Sequence, residues 1–121
     1  MPLTRRGIEV EDVGCYSKQS VDYPDYAVAV AKKVASGEAA LGIMIDGAGI
    51  GSSMAANKIP GVRAALCYDV STARNAREHN HANVLTLGAG LIGDGLAWQI
   101  TQEFIATEFG PGRHARRVDK I

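Results

Sequence analysis

The chain has 121 residues, enough for one buried core and too few for two independent lobes. Its thirteen basic and thirteen acidic residues cancel, and no charge run precedes the C-terminal end, which leaves no electrostatic footprint for a nucleic acid or a membrane surface. Cys15 and Cys67 show neither metal-ligand spacing nor a dense disulfide pattern, no apolar stretch approaches the roughly 20 residues of a membrane span, and MPLTRR leads into no secretory segment; a single soluble cytoplasmic domain over 1–121 with reduced thiols is expected.

In chain order, residues 8–13 (IEVEDV) alternate apolar and acidic side chains up to Gly14 and predict a strand at a sheet edge. After the loop CYSKQSVDYPD, the stretch YAVAVAKKVASG sets Ala27, Val30, Ala31 and Val34 on one helical face, with Gly37 as the stop. Residues 40–45 (ALGIMI), 63–68 (RAALCY) and 83–88 (NVLTLG) are apolar without alternation, as strands covered on both faces are. Helical patterns stand between and after them at 52–58, 71–80 and 93–109. Strands alternating with helices at this spacing predict a parallel sheet with helices on both faces, an α/β/α sandwich.

Three stretches carry polar chemistry. In DGAGIG (46–51), Gly47, Gly49 and Gly51 let backbone N–H groups approach an anion near a helix start. The spacing is neither the GxGxxG dinucleotide fingerprint nor a P-loop, since no Lys-Ser/Thr follows. Asp46 ends its strand on the carboxyl side, where open parallel sheets bind ligands; it either moves a proton or caps the turn that follows. Arg77, Glu78, His79 and Asn80 close a helix, with His81 after them. A histidine there exchanges protons near neutrality, or the group serves only the helix end and its dipole. In GPGRHARRVDKI (110–121), Arg113, His114, Arg116 and Arg117 crowd into five residues. Arg113 and Arg117, four apart, share a helix face and suit a phosphate, unless the segment is a solvated basic tail.

Taken together, SVDYPDYA (20–27), GAGIGSSMAANKIPGVRAAL (47–66), TARNAREHNHANVLTLG (72–88) and GRHARRVDKI (112–121) resemble, in order, the blocks of the type B ribose-5-phosphate isomerases and galactose-6-phosphate isomerase subunits. The resemblance implies a flavodoxin-like sandwich, a homodimer or higher homo-oligomer with sites at the subunit interface, and a sugar phosphate as the partner. It implies aldose–ketose isomerisation without metal or organic cofactor, by proton transfer between C1 and C2 through a cis-enediolate. On this resemblance Asp46 stands where many members have a cysteine base, and the amides around Gly47, Ala48, Gly49 and Gly51 hold the enediolate oxygen. In other members a glutamate at the position of Ser52 is the base. His79 matches the residue that assists ring opening, Asn80 contacts sugar hydroxyls, and Arg113 and Arg117 match phosphate ligands.

Four features depart from the family's pattern. Its first strand, Asp-His-Ala-Gly loop and first helix have no counterpart in this sequence. The sheet is therefore expected to close up, to take a strand from another chain, or to belong to a longer product. Asp46 replaces a thiol with a carboxyl whose ordinary pKa is about 3.9, a weaker base unless burial raises it. Ala48 replaces a threonine, and Gly90 an arginine. The expected substrate is ribose 5-phosphate or a similar pentose or tetrose phosphate. The competing expectations are a non-catalytic sugar-phosphate-binding or assembly module, and an incomplete enzyme that needs a partner chain.

Overall fold

A computed structural model describes residues 7–14 and 22–121. Cys15, the opening MPLTRR and most of the loop after Gly14 lie outside the described residues. The elements are α1 (Tyr23–Ala35), β1 (Gly42–Asp46), α2 (Ile50–Ala56), β2 (Ala64–Leu66), α3 (Val70–Glu78), β3 (Val84–Gly88), α4 (Asp94–Ala106), a 3-10 turn (Gly112–His114) and α5 (Ala115–Val118).

The three strands form one parallel sheet in the order β1-β3-β2. Gly42 is aligned with Val84 and Asp46 with Gly88, while Ala64 faces the same Val84 from the other side. Central β3 is buried along its whole length, which is why its sequence shows no polar alternation. Helices α1 and α2 pack on one face and α3 and α4 on the other. Leu85, Leu87, Ile100 and Phe104 fill the α3/α4 side. Ala31, Val34, Ala56, Val62 and Val84 fill the thinner α1/α2 side. The layered α/β/α architecture expected from the sequence is therefore present.

Two boundaries differ from the sequence reading for physical reasons. Helix α1 starts at Tyr23 rather than Tyr26, because Pro24 falls in the first turn, where its missing N–H has no helical partner to lose. The strand expected over residues 8–13 is not formed: Ile8–Val13 have no regular structure and Glu9, Val10, Glu11 and Asp12 are exposed. Alternation alone makes no strand when no neighbouring strand supplies a ladder. The segment is instead tied to α1 by Glu11, whose carboxylate lies 2.7 Å from the Lys33 ammonium.

Among the described residues no strand covers the open side of β1. Gly42 N–H donates to Asn83 O, and Asp46 O accepts from Ala89 N–H, so residues 42, 44 and 46 address β3. Ile43 and Ile45 then present their backbone groups outward. The opposite edge is treated differently: the Asn57 side-chain amide accepts from Ala64 N–H at 2.7 Å and donates to Ala64 O at 3.0 Å, closing β2 against further pairing.

Candidate active site

The glycine loop is held at the carboxyl end of the sheet by contacts only glycine permits. Gly49 has φ +78°, and a Cβ there would lie 2.6 Å from Leu66 Cδ1 and 3.0 Å from the Leu87 carbonyl carbon. Gly88 lies so close under the loop that its Cβ would meet the Ala48 backbone at 2.7 Å. The buried Thr86 hydroxyl donates to Gly49 O at 2.7 Å. Ala89 N–H donates to Asp46 O at 2.8 Å and Gly90 N–H to Gly47 O at 3.0 Å, so the segment after β3 braces the loop from its other side.

Half-buried Asp46 ends β1. One carboxylate oxygen, Oδ1, accepts the Gly49 N–H and fastens the turn, as an aspartate at such a position does. The other, Oδ2, has no hydrogen-bond partner among the described residues. Capping and proton transfer are thus compatible, one oxygen for each. The first turn of α2 adds backbone N–H groups, those of Ile50 and Gly51 among them, that lack intrahelical acceptors. Tyr23 lies over this turn; its hydroxyl would be 2.1 Å from a Cβ at Gly51. Ser52 is fully buried and its hydroxyl has no partner among the described residues.

The second group of residues forms at the amino end of the sheet, where α3 finishes; the helix itself begins at the carboxyl end. Asp69 starts α3 with a reciprocal cap: its carboxylate accepts Thr72 N–H at 2.7 Å and the Thr72 hydroxyl accepts Asp69 N–H at 3.3 Å. The Thr72 N–H holds the Asp69 carboxyl below its ordinary pKa. After the nine residues of α3 the C-cap is His79. The His79 ring stacks on His114 with centroids 4.2 Å apart and planes at 21°. Its Nδ1 lies 3.0 Å from Asn75 Nδ2, and its Nε2 lies 3.6 Å from Glu78 Oε1. Burial first, and then the neighbouring His79, Arg113 and Arg117, hold His114 below its ordinary pKa.

Arg77, beside His79 in sequence, is structural: it donates to Thr107 O and Ala82 O and lies 5.3 Å from the Phe104 ring centroid. His81 turns away with φ 51° and stacks on Phe109. The C-terminal segment is not a free tail. Gly110 N–H donates to Glu78 O at 3.0 Å, and residues 112–118 then coil past His79 with Arg113 and Arg117 exposed.

The residues singled out in the sequence therefore fall into two groups. Asp46, Gly47, Ala48, Gly49 and Gly51 lie at the carboxyl end; His79, Asn80, Arg113 and Arg117 lie at the amino end. The five residues of β1 separate the ends by at least about 13 Å. Within one chain the groups do not meet. A cavity of about 250 Å³ lies beside His79, lined by Ser71, Arg74, Asn75 and Glu78. A larger one of about 560 Å³ follows the outer side of β2 past Arg63, Cys67 and Asn80; Asp46 lines neither. Asn75 and Tyr23 are site neighbours that sequence reasoning did not single out, and His114, which the sequence shows only as part of the basic cluster, stacks on His79; the i,i+4 spacing of Asn75 and His79 was the available signal. Among the described residues no group of three His, Cys, Asp or Glu side chains could hold a metal ion, and no helix is long and apolar enough to cross a membrane.

A family model described as Ribose/Galactose Isomerase matches residues 1–121. The crystal structure of a ribose 5-phosphate isomerase from Thermotoga maritima superposes with a TM-score of 0.94 at 52% identity, covering 98% of this chain and 81% of that one. Ribose-5-phosphate isomerase B of Mycoplasma genitalium, solved with bound ribulose 5-phosphate, gives 0.94 at 42% identity over 98% and 79%. Ribose-5-phosphate isomerase B of Escherichia coli is 44% identical over 119 residues, which are 98% of this chain and 80% of that protein.

Proposed function

The chain belongs to the ribose/galactose isomerase family, and from that premise we propose that it interconverts ribose 5-phosphate and ribulose 5-phosphate, or a similar pentose or tetrose phosphate pair, in the cytoplasm. The observation that carries the reading is the free Oδ2 of Asp46 on a rigid glycine loop. Oδ2 takes the C2 proton of the open-chain aldose. The electron pair of that C–H bond forms the C1–C2 double bond, and the carbonyl oxygen becomes the enediolate oxygen. Backbone N–H groups around Gly47, Ala48, Gly49 and Gly51 stabilise that charge. The C2 hydroxyl proton passes to the C1 oxygen, the C2 oxygen forms the new carbonyl as the C1–C2 double-bond pair takes the proton back from Oδ2 at C1, and the ketose results with no net change in atoms or electrons.

His79 opens the sugar ring by protonating the ring oxygen, Asn80 contacts hydroxyls, and Arg113 and Arg117 bind the phosphate. These groups reach the substrate held at Asp46 from a second copy of the chain, in a homodimer. Two observations support the dimer: the separation of the two groups in one chain, and the apolar side chains exposed at the carboxyl end, with Ile45 at 50%, Met54 at 65% and Leu91 at 66%.

Proton NMR in deuterated water tests the chemistry. Incubation with ribulose 5-phosphate should exchange a C1 proton and produce aldose carrying deuterium at C2, and Asp46→Asn should abolish both. Undiminished exchange in that variant removes Asp46 from the mechanism.

A further inference from the structure

We propose that Asn75 is a positioning residue that fixes which nitrogen of His79 carries the proton. The inference rests on the ring-opening role of His79 proposed above. Asn75 and His79 are one turn apart on α3 and therefore neighbours on its surface. Asn80 Nδ2 donates to Asn75 Oδ1 at 2.9 Å. With its oxygen so engaged, Asn75 turns its amide nitrogen to His79 Nδ1, at 3.0 Å. An amide nitrogen only donates. Nδ1 must therefore be the bare, accepting nitrogen of a neutral ring, and the N–H must reside on Nε2.

The other neighbours agree with that assignment. Nε2 lies 3.6 Å from Glu78 Oε1, beyond hydrogen-bond distance, where the carboxylate's charge favours an N–H on that side of the ring. His114 covers one face of the ring and sets its plane. Asn80, which the sequence singles out for sugar contact, also anchors this chain of amides. His79 thus stands beside the 250 Å³ cavity as a neutral imidazole with a single N–H on Nε2, the form that can hand a proton to a ring oxygen. The electron pair of the breaking C1–O bond takes that proton, the C1 hydroxyl proton passes through solvent back to Nε2 so that the neutral ring is restored, and the open-chain aldehyde results.

Two substitutions at exposed position 75 test this without touching the core. Asn75→Leu removes the donor, and Asn75→Asp replaces it with an acceptor. Long-range nitrogen–proton NMR of the His79 ring reads the tautomer directly. The native protein should show protonated Nε2; Leu should shift the tautomer ratio toward Nδ1–H by roughly fivefold, the effect of one hydrogen bond; Asp should make Nδ1–H dominant. Ribulose 5-phosphate has no free C5 hydroxyl and stays acyclic, so its C1 exchange needs no ring opening. Asn75→Leu should therefore lower aldose-to-ketose turnover roughly fivefold and leave C1 exchange from ribulose 5-phosphate as in the native protein. A native tautomer ratio in both variants overturns the proposal, as does equal loss in the two assays. His79→Gln separates the two ideas: if it lowers both assays equally, the ring-opening role itself fails; if only aldose turnover falls in His79→Gln but not in Asn75→Leu, the inference about Asn75 alone fails.

Discussion

Mixing two inactive variants tests whether the site is built from two chains. Asp46→Asn removes the base at the carboxyl end, and His79→Gln removes the acid at the amino end; each should lower turnover of ribose 5-phosphate by at least about a hundredfold. The two residues belong to opposite ends of a sheet at least about 13 Å long, so a site containing both takes one from each protomer. In a mixed dimer one site receives both lesions. The other receives the intact Asp46 of one protomer and the intact His79 of its partner. Random association of equal amounts makes half of the dimers mixed, so about one quarter of all sites are restored in a two-fold symmetric dimer. Co-refolding the variants from denaturant and assaying ribulose formation should give about a quarter of native activity per protomer, against about 1% or less for either variant alone. A mixture that stays at the level of its components refutes the shared site.

Gly49→Ala should destabilise the chain by roughly 1–3 kcal/mol, because φ +78° disfavours any side chain and the new Cβ meets the Leu87 carbonyl carbon; an unchanged urea midpoint would contradict the tight loop. Burial pushes the Cys67 thiol from 9.0 up to about 11. Between those values the unfolded thiol ionises while the folded one keeps its proton, so stability contributed below pH 9 is lost as pH rises, by about 1.4 kcal/mol per unit. Urea titrations at pH 8, 9 and 10 should show that extra slope in the native chain and not in Cys67→Ala. Arg113→Ala and Arg117→Ala should each raise KM for the phosphorylated sugar at least about tenfold while leaving that for the unphosphorylated sugar within about twofold; equal effects on both would remove the arginines from phosphate binding.

The strands that build the sheet were legible because continuous apolar runs such as ALGIMI and NVLTLG fit burial on two faces. Ala27, Ala31 and Val34 were legible as a helical stripe for the same reason. The failure at 8–13 is of another kind. A strand is a property of a pair, and IEVEDV carries its own alternation but no information about whether a partner lies alongside. Pro24 hid three residues of α1, since proline reads as a loop marker until its place in a first turn is known. Asp46 posed a choice between cap and base that the sequence could not make; its two oxygens differ in their partners. Asn75 went unseen and His114 stood out only as part of a basic cluster because their importance depends on contact with one ring, and only the end of α3 and the coil at 112–118 bring them there.

The division of the site follows from topology alone. In a parallel sheet every strand-to-helix connection falls at the carboxyl end and every helix-to-strand connection at the amino end. Asp46 stands in the first kind, between β1 and α2, and His79 in the second, between α3 and β3. No repacking of one chain brings them together. The electrostatics of the two ends divide in the same way. At the carboxyl end the start of α2 offers backbone N–H groups, and a glycine loop is enough to meet an enediolate oxygen. At the amino end the helices finish, and their last carbonyls repel an anion. A phosphate is held there only if side-chain cations outweigh those carbonyls. The proposed roles fit this division: arginines stand at 113, 116 and 117, beside the C-terminus of α3, and glycines at 47, 49 and 51. On the proposed reading, a substrate with a reacting carbonyl at one end and a phosphate at the other spans the two environments across the boundary between the two protomers of the proposed dimer.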